Sequence, residues 1–187
     1  MKSVMTCPYW WWDRGLDEEL CDAIVAVGKR LEMQEAGIKD DKTINKQIRE
    51  TTIGFFPTNH WVDAITSRYV HEANKNADWN FDINSKELVQ FGQYNKGCYY
   101  KEHRDMDHKI YGNRKLSISI QLTDGSKYDG GNFLLKNFWG GELKMPKELR
   151  NKGSVIVFPS ILLHEVTKIR AGTRYSLVQW HSGPEFK

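Results

Sequence analysis

Hydrophobic positions at helical spacing predict two α-helices in the first part of the chain. Asp17 can cap a helix that runs to about Arg30, and Asn59 can cap a second helix that runs to about Asn74. The apolar positions recur every three or four residues, as a helix with one buried face requires. They are Leu20, Ile24, Val27 and Leu31 in the first helix, and Trp61, Ile65, Tyr69 and Ala73 in the second.

Strand-forming segments dominate the rest of the chain. Aromatic, β-branched or alternating patterns predict strands at 9–12, 51–56, 79–83, 88–94, 99–105, 116–122, 133–135, 155–158 and 173–180. Between 32 and 46 the sequence is polar and aperiodic, which predicts an ordinary surface loop or, alternatively, a lid. The order of elements favours an α+β, mainly β fold in a single domain over 1–187, with a helical part over about 1–76 and a β core over about 77–183.

One predicted strand alternates strictly between apolar and polar residues. Its apolar face consists of Leu116, Ile118, Ile120 and Leu122, and its polar face consists of Ser117, Ser119 and Gln121. In most antiparallel sheets the polar face meets solvent. In a barrel that holds a polar ligand, the same face points inward. The sequence alone leaves both alternatives open.

The composition predicts a protein with reduced thiols and no marked preference for charged partners. The formal net charge is +3, and no block of like charge indicates nucleic-acid binding. The three cysteines are widely spaced and form no Cys-x-x-Cys motif, which favours free thiols. The sequence shows neither a signal peptide nor a run of about 20 apolar residues, the length a membrane helix needs. We therefore expect a cytoplasmic protein that does not bind a membrane.

A His-x-Asp pair is the first candidate for chemistry. Side chains two residues apart on a strand point to the same face, so His103 and Asp105 can bind one cation together. The composition predicts about one His-x-acid pair by chance, so the pair alone is weak evidence. His164 follows a nearly apolar segment, where a histidine is more often a packed core residue. As a third ligand, it would complete the two-histidine, one-carboxylate triad of non-haem ferrous oxygenases.

The last predicted strand places an arginine among apolar side chains. Arg174, Ser176, Val178 and Trp180 share one face of this strand. A buried arginine is destabilising by several kcal/mol, on the order of a lost buried ion pair, unless it meets an anion. That anion is either an internal aspartate or glutamate, or the carboxylate of a ligand. In the second case the guanidinium would bind in a bidentate manner and the Ser176 hydroxyl would add a hydrogen bond.

In the order His-x-Asp, His, Arg, the chain resembles the Fe(II)- and 2-oxoglutarate-dependent dioxygenases, and specifically their prolyl-hydroxylase-like branch. Further motifs carry the resemblance over about 88–180. They are the Tyr-x-x-Gly at 94–97, Tyr100 three residues before His103, the Tyr-x-Gly-Gly at 128–131, the His-Glu-Val at 164–166, and Trp180 six residues after Arg174.

This resemblance implies a fold, ligands and a set of binding residues. The fold is a double-stranded β-helix core, of the jelly-roll or cupin-like type, buttressed by the N-terminal helices. The iron ligands are His103, Asp105 and His164. Arg174 is expected to bind the distal carboxylate of 2-oxoglutarate, Tyr94 to contact this cosubstrate, and Trp180 to pack beside it.

Two positions separate the chain from parts of that family. Collagen-type enzymes usually have lysine at the position of Arg174, so the chain is more similar to the oxygen-sensing type and its microbial relatives. In the oxygen-sensing type a cosubstrate-binding tyrosine falls at Gln121, which makes Gln121 the expected substitute.

The expected function is hydroxylation of a C–H bond with O2, foremost in a prolyl residue of a protein or peptide. Ascorbate is a candidate reductant. An alternative substrate is a free amino acid, another small molecule or a nucleobase. The other alternative is a non-catalytic cupin-like binding module, which would not need all three ligands and Arg174. The presence of Asp105 argues against a halogenase, because halogenating relatives have a small residue there.

Overall fold

The computed structural model of the protein describes residues 7–36, 48–106 and 111–185. These residues form two α-helices, α1 (Glu18–Gly28) and α2 (Trp61–Asn76), and two short 3-10 helices, Gly125–Lys127 and Lys147–Arg150. The strands are β1 (Trp10–Trp12), β2 (Gln34–Glu35), β3 (Arg49–Glu50), β4 (Thr52–Phe55), β5 (Ser85–Lys86), β6 (Gln90–Tyr94), β7 (Tyr99–His103), β8 (Arg114–Gln121), β9 (Tyr128–Asp129), β10 (Phe133–Leu135), β11 (Val155–Pro159), β12 (His164–Val166), β13 (Ala171–Gly172) and β14 (Arg174–Ser182).

The strands form one large and one small antiparallel sheet. The large sheet has the order β1-β11-β8-β14-β6-β4-β2, and β5 also pairs with β14. The small sheet has the order β10-β12-β7-β3, and β9 pairs separately with β13. Every strand pairing in the described residues is antiparallel. The described part of the chain is therefore mainly β, with two α-helices, as the pattern of elements predicts.

Both helices pack against one face of the large sheet. Asp17 caps α1 as predicted, because its Oδ1 accepts a hydrogen bond from Leu20 N at 2.7 Å. The largest core cluster joins helix residues to the apolar rows of the central strands; its members include Ile24, Val62, Val70, Phe91, Ile118, Ile120, Val157 and Leu177. Each such side chain contributes about 1.5–3 kcal/mol when it is buried, so this cluster is a main source of stability.

The polar row of β8 points to the other side of the large sheet and is buried there. Ser117 and Gln121 are almost fully buried, and Ser119 is half-buried. Their partners come from elsewhere: Ser117 bonds Asp105, which follows β7, and Gln121 bonds Arg174. Of the two alternatives for this strand, the inward-facing polar row is therefore the one that forms.

Helix α2 differs from its prediction in its cap and its buried face. The N-cap is His60 instead of Asn59, because His60 Nδ1 accepts from Val62 N at 3.4 Å. The buried positions are Val62, Thr66, Tyr69, Val70 and Ala73, whereas Trp61 is 43% exposed. A strict four-residue repeat drifts around a helix of 3.6 residues per turn, so the predicted stripe and the real one coincide only at its end.

The predicted strand at 79–83 does not form. The Asn74 side chain accepts from Phe81 N at 2.9 Å and donates to Phe81 O at 2.8 Å, so it occupies the backbone groups that a neighbouring strand would need. Asp78 and Asn80 also have positive φ angles of 55° and 51°, which interrupt an extended chain.

The predicted division into a helical part before residue 77 and a β core after it does not hold. The residues before it supply β1, β2 and β4 to the large sheet and β3 to the small one. Strand β2 lies inside the segment predicted as a loop, and 37–46 of that segment lie outside the described residues. Neither helix in the described ranges has the length and apolar character needed to cross a membrane.

We expect His181 to make stability depend on pH. Burial, with a smaller contribution from the nearby Lys86 and His71, lowers the pKa of this histidine to about 4. An unfolded histidine has a pKa of about 6.5, so the unfolded chain gains a proton first as the pH falls. The contribution of neutral His181 is therefore complete above about pH 6.5 and is lost as the pH falls towards 4.

For the metal-free protein, His181→Gln should reduce the loss of unfolding free energy between pH 7 and pH 4 by up to about 3 kcal/mol. Denaturant unfolding at several pH values measures this difference. The comparison variant is His71→Gln, which changes an exposed histidine of α2 that makes only a smaller contribution to the His181 pKa and should therefore keep most of the pH dependence. If the unfolding free energies of His181→Gln and of the parent fall by the same amount between pH 7 and pH 4, His181 is not the source of the pH dependence.

Candidate metal centre and anion pocket

Pairing of β7 with β12 brings two histidines together. His103 and His164 are direct partners in this antiparallel register, and their ring centroids lie 4.1 Å apart. Asp105 does not lie on the strand as predicted, because β7 ends at His103. Instead, Asp105 N donates to Ser160 O at 3.0 Å, and this bond turns the buried carboxylate toward both imidazoles.

The three side chains are close enough to bind one ion. His103 Nε2 lies 3.5 Å from Asp105 Oδ1, and His164 Nε2 lies 3.4 Å from Asp105 Oδ2. One ligand atom from each residue falls within a mutual distance of 4.8 Å. Donors at about 2.1 Å from a common ion are about 3 Å apart when they sit at right angles, so the group fits a single transition-metal ion.

Backbone carbonyls fix the orientation of both imidazoles. His103 Nδ1 lies 2.8 Å from Lys101 O, and His164 Nδ1 lies 3.0 Å from Leu162 O. A carbonyl oxygen only accepts hydrogen bonds, so each ring carries its proton on Nδ1. Nε2 then presents a lone pair toward Asp105, which is the arrangement found in metal-binding histidines.

The charge state of the group also suits a cation. Burial alone would raise the pKa of Asp105, but His164, His103 and a hydrogen bond from Ser117 hold this pKa far below its usual range. Burial lowers the pKa of His164 to about 4 despite the nearby Asp105. At neutral pH the carboxylate is therefore ionised and His164 is neutral, as metal binding requires.

A buried arginine lies beside a cavity of about 270 Å³. Arg174 is 4% exposed; its Nε donates to Gln121 Oε1 at 3.0 Å, and its Nη1 lies 3.4 Å from Ser176 Oγ. No aspartate or glutamate in the described part of the chain forms an ion pair with Arg174. Of the two anions considered for this arginine, an internal acid is absent from these residues, which leaves the guanidinium available to a ligand.

One side chain of the cavity wall contacts the histidine pair, although none of the three candidate metal ligands lines the cavity itself. Phe133 lines the same cavity, and its ring centroid lies 5.7 Å from that of His164. The sequence profile of the 2OG-Fe(II) oxygenase superfamily matches residues 89–182, which include all of these groups.

The chain belongs to the 2OG-Fe(II) oxygenase superfamily. Among its relatives, a PKHD-type hydroxylase of Prochlorococcus marinus (strain MIT 9312) is 34% identical over 93 residues, which are 49% of this chain and 40% of the relative. The chain thus spans about two fifths of the length of this curated relative.

Solved structures with the same fold as this chain include two prolyl hydroxylases. A Pseudomonas putida prolyl-4-hydroxylase aligns with a TM-score of 0.74 and 22% identity over 96% of this chain and 94% of its own. A prolyl hydroxylase from Trichoplax adhaerens, in complex with a hypoxia inducible factor oxygen degradation domain peptide fragment, aligns with a TM-score of 0.74 and 16% identity over 95% of this chain and 84% of its own.

The remaining residues named from the sequence lie at two ends of the candidate site. Tyr94 is the direct β6 partner of Arg174, and its ring centroid lies 5.4 Å from the guanidinium carbon. Together with Gln121 and Ser176, it surrounds the arginine. Trp180 lies at the other end, opposite Ser117 in the β8–β14 register.

Arg114 supports the metal end of the site and was not singled out from the sequence. Its Nη1 donates to Asp105 O at 3.0 Å, and its Nε and Nη2 donate to the two oxygens of Glu87 at 2.5 and 2.6 Å. The guanidinium lies 3.8 Å from the Tyr111 ring and 4.2 Å from the Trp180 ring. The sequence gives no signal for this role of Arg114, because its partner Glu87 is distant along the chain. The alternation of β8 concerns only the residues that follow Arg114 in this strand.

Two buried donors near the metal end have no hydrogen-bond partner in the described residues. They are Arg49 Nε and Trp180 Nε1. Arg49 lies over the Tyr100 ring at 4.5 Å, and Tyr100 stacks on His103 with ring centroids 3.5 Å apart. Buried donors are rarely left without an acceptor, so these two groups are unusual; neither lines the cavity beside Arg174.

We expect Ser117 to hold Asp105 in its metal-binding orientation. Ser117 Oγ donates to Asp105 Oδ2 at 2.7 Å and lies 2.9 Å from Ser160 Oγ. Removal of such a supporting hydrogen bond typically weakens metal affinity by about 10–100-fold. Calorimetric titration with Mn(II) should show a loss of this size for Ser117→Ala. Ser119→Ala, in the same row of β8, should bind Mn(II) as the parent does; equal affinity of both variants would contradict the role of Ser117.

Proposed function

We propose that this protein is an Fe(II)- and 2-oxoglutarate-dependent dioxygenase that hydroxylates a C–H bond, foremost in a prolyl residue of a protein or peptide. One observation carries the proposal: Arg174 is buried without an acidic partner in the described residues, beside a cavity whose wall also contacts His164. A metal-binding module alone would need the histidines and Asp105, but not this arginine. Membership of the superfamily supports the same assignment.

We further propose that the two sheets form a double-stranded β-helix within a single domain over 1–187, with α1 and α2 buttressing the large sheet. The inward polar row of β8 and the structural similarity to the Pseudomonas putida enzyme support this interpretation. The unpaired cysteines Cys7, Cys21 and Cys98 are consistent with a reducing compartment such as the cytoplasm.

In the proposed mechanism the protein provides geometry and charge. His103 and His164 would hold Fe(II) through Nε2, and Asp105 would hold it through its carboxylate. Three protein ligands leave coordination positions for other molecules. Bound Fe(II) supplies the activation of O2, coupled to the decarboxylation of 2-oxoglutarate to succinate. Arg174 would pair with the distal carboxylate of this cosubstrate and so fix the position of its other end.

The structural neighbours favour a protein or peptide substrate over a small molecule. The names of the two similar structures, a prolyl-4-hydroxylase and a prolyl hydroxylase with a bound peptide, support the same substrate class. A free amino acid, another small molecule or a nucleobase is the alternative, and ascorbate is proposed only as a reductant.

We expect Arg174→Ala to weaken 2-oxoglutarate binding about 100-fold, because it removes a charge-assisted pair with a carboxylate. Metal affinity should change less than about threefold, because Arg174 lies outside the histidine pair. Anaerobic titrations of Fe(II) and then 2-oxoglutarate, followed by visible absorption, measure both affinities. Arg170→Ala is the control, because Arg170 is exposed and paired with Asp129. An equal loss of metal and cosubstrate would assign Arg174 a structural role.

The parent protein should release succinate in air when it is supplied with Fe(II), 2-oxoglutarate and a suitable substrate. A screen of proline-containing peptides, free amino acids and methylated nucleotides identifies the substrate class. His103→Ala should reduce both metal binding and succinate release by at least about 100-fold, because a metal ligand is lost. If the parent releases no succinate and His103→Ala binds metal as the parent does, the protein is not this enzyme.

A further inference from the structure

The hydroxyl group of Tyr128 is a buried donor on the wall of the cavity beside Arg174. Tyr128 is 6% exposed and lines the same cavity as Arg174 and Gln121. Its oxygen accepts a hydrogen bond from Gln121 Nε2 at 2.9 Å. None of the described residues accepts a hydrogen bond from this hydroxyl. The phenol O–H is therefore a hydrogen-bond donor in the cavity wall that has no acceptor among the described residues.

The hydrogen bonds of Gln121 fix which way its amide points. Arg174 has only donors, so the group 3.0 Å from Arg174 Nε is the amide oxygen of Gln121. The carbonyl of Thr123 only accepts, so the group 2.5 Å from it is the amide nitrogen. The same nitrogen donates to Tyr128, which uses its second hydrogen. Gln121 therefore has no donor left for a ligand.

The surrounding residues hold the Tyr128 ring close to Arg174. Gly131 has a φ of 60°, and a Cβ at this position would lie 3.1 Å from Tyr128 Cε2 and 3.3 Å from Arg174 Cδ. Only glycine lets the turn pass this close to both side chains. On the other side, the Arg150 guanidinium lies 4.4 Å from the ring, and its Nη2 donates to Tyr128 O at 3.1 Å. The Tyr-x-Gly-Gly motif thus fixes the phenol beside the arginine.

We propose that Tyr128 donates a hydrogen bond to the carboxylate that pairs with Arg174, and that Gln121 positions Tyr128 without touching that carboxylate. The identity of this carboxylate as the distal group of 2-oxoglutarate rests on the proposed function. Gln121 accepts from Arg174 and donates to Tyr128, so one amide orients both groups. Tyr128 is then a specificity residue for a dicarboxylic 2-oxo acid.

The test compares ligand affinities of the Mn(II)-loaded parent and Tyr128→Phe by calorimetry. A hydrogen bond to a charged group contributes enough for a loss of about 10–100-fold in 2-oxoglutarate affinity. The second probe is 2-oxopentanoate, which has a methyl group in place of the distal carboxylate; its affinity should be the same for both proteins. Tyr175→Phe, which alters a half-buried tyrosine packed on Phe91, controls for the loss of a phenol elsewhere.

Three outcomes would overturn the assignment. Unchanged 2-oxoglutarate affinity in Tyr128→Phe would show that the phenol makes no such bond. Equal weakening of both probes would indicate a structural effect of the substitution. A loss in Gln121→Leu that persists undiminished when Tyr128 is already phenylalanine would mean that Gln121 binds the ligand directly. Failure of the proposed function is distinct from all three, because in that case the Mn(II)-loaded parent itself would not bind 2-oxoglutarate.

Discussion

Burial of a polar row between the two sheets is the constraint on which this site depends. Ser117, Gln121, Arg174 and Ser176 are all almost fully buried, and each would be destabilising without hydrogen-bond partners. The protein satisfies most of them internally, through Asp105 and Ser160 at one end and through the Gln121–Arg174 contact at the other. In the described part of the chain, the buried donors without any partner are Arg49 Nε and Trp180 Nε1. Arg174 and Tyr128 instead line the cavity, where a ligand can reach them.

Strands β8 and β14 set the distance between the metal end of the site and the Arg174 end. Ser117 supports Asp105, and Gln121, four residues later on β8, supports Arg174. Four residues of an extended strand span about 13 Å, and every second side chain faces the same way. Strand β14 repeats this spacing with Trp180 opposite Ser117 and Ser176 opposite Gln121. A shift of register by one residue would turn all of these groups to the helix side, so strand register and site geometry are one property.

The sequence identifies the site better than it identifies the supporting contacts. His103, Asp105, His164 and Arg174 could be named because their order and spacing form a motif. The alternation of 116–122 predicted the strand but not its inner face, because that choice depends on partners from distant strands.

The contacts missed from the sequence all join remote segments. Arg114 bonds Glu87, Arg49 lies on Tyr100 through the β3–β7 pairing, and the Trp10–Trp12 strand adds to the edge beside β11. Local periodicity carries no information on such pairings. The absent strand at 79–83 has the opposite cause, since a single side chain, Asn74, took the place of a neighbouring strand.

Charge balance argues that the metal and the dicarboxylate favour each other's binding. The charged side chains that would face these ligands are Asp105 and Arg174; Arg114 is neutralised by Glu87, and the Tyr100 ring lies between Arg49 and His103. A divalent cation alone would leave an excess of positive charge in a buried space, and a dianion alone would leave an excess of negative charge. Both together bring the summed charge of Asp105, Arg174 and the two ligands to zero. Since unbalanced buried charge is costly, each ligand lowers the cost of burying the other, and this coupling needs no conformational change.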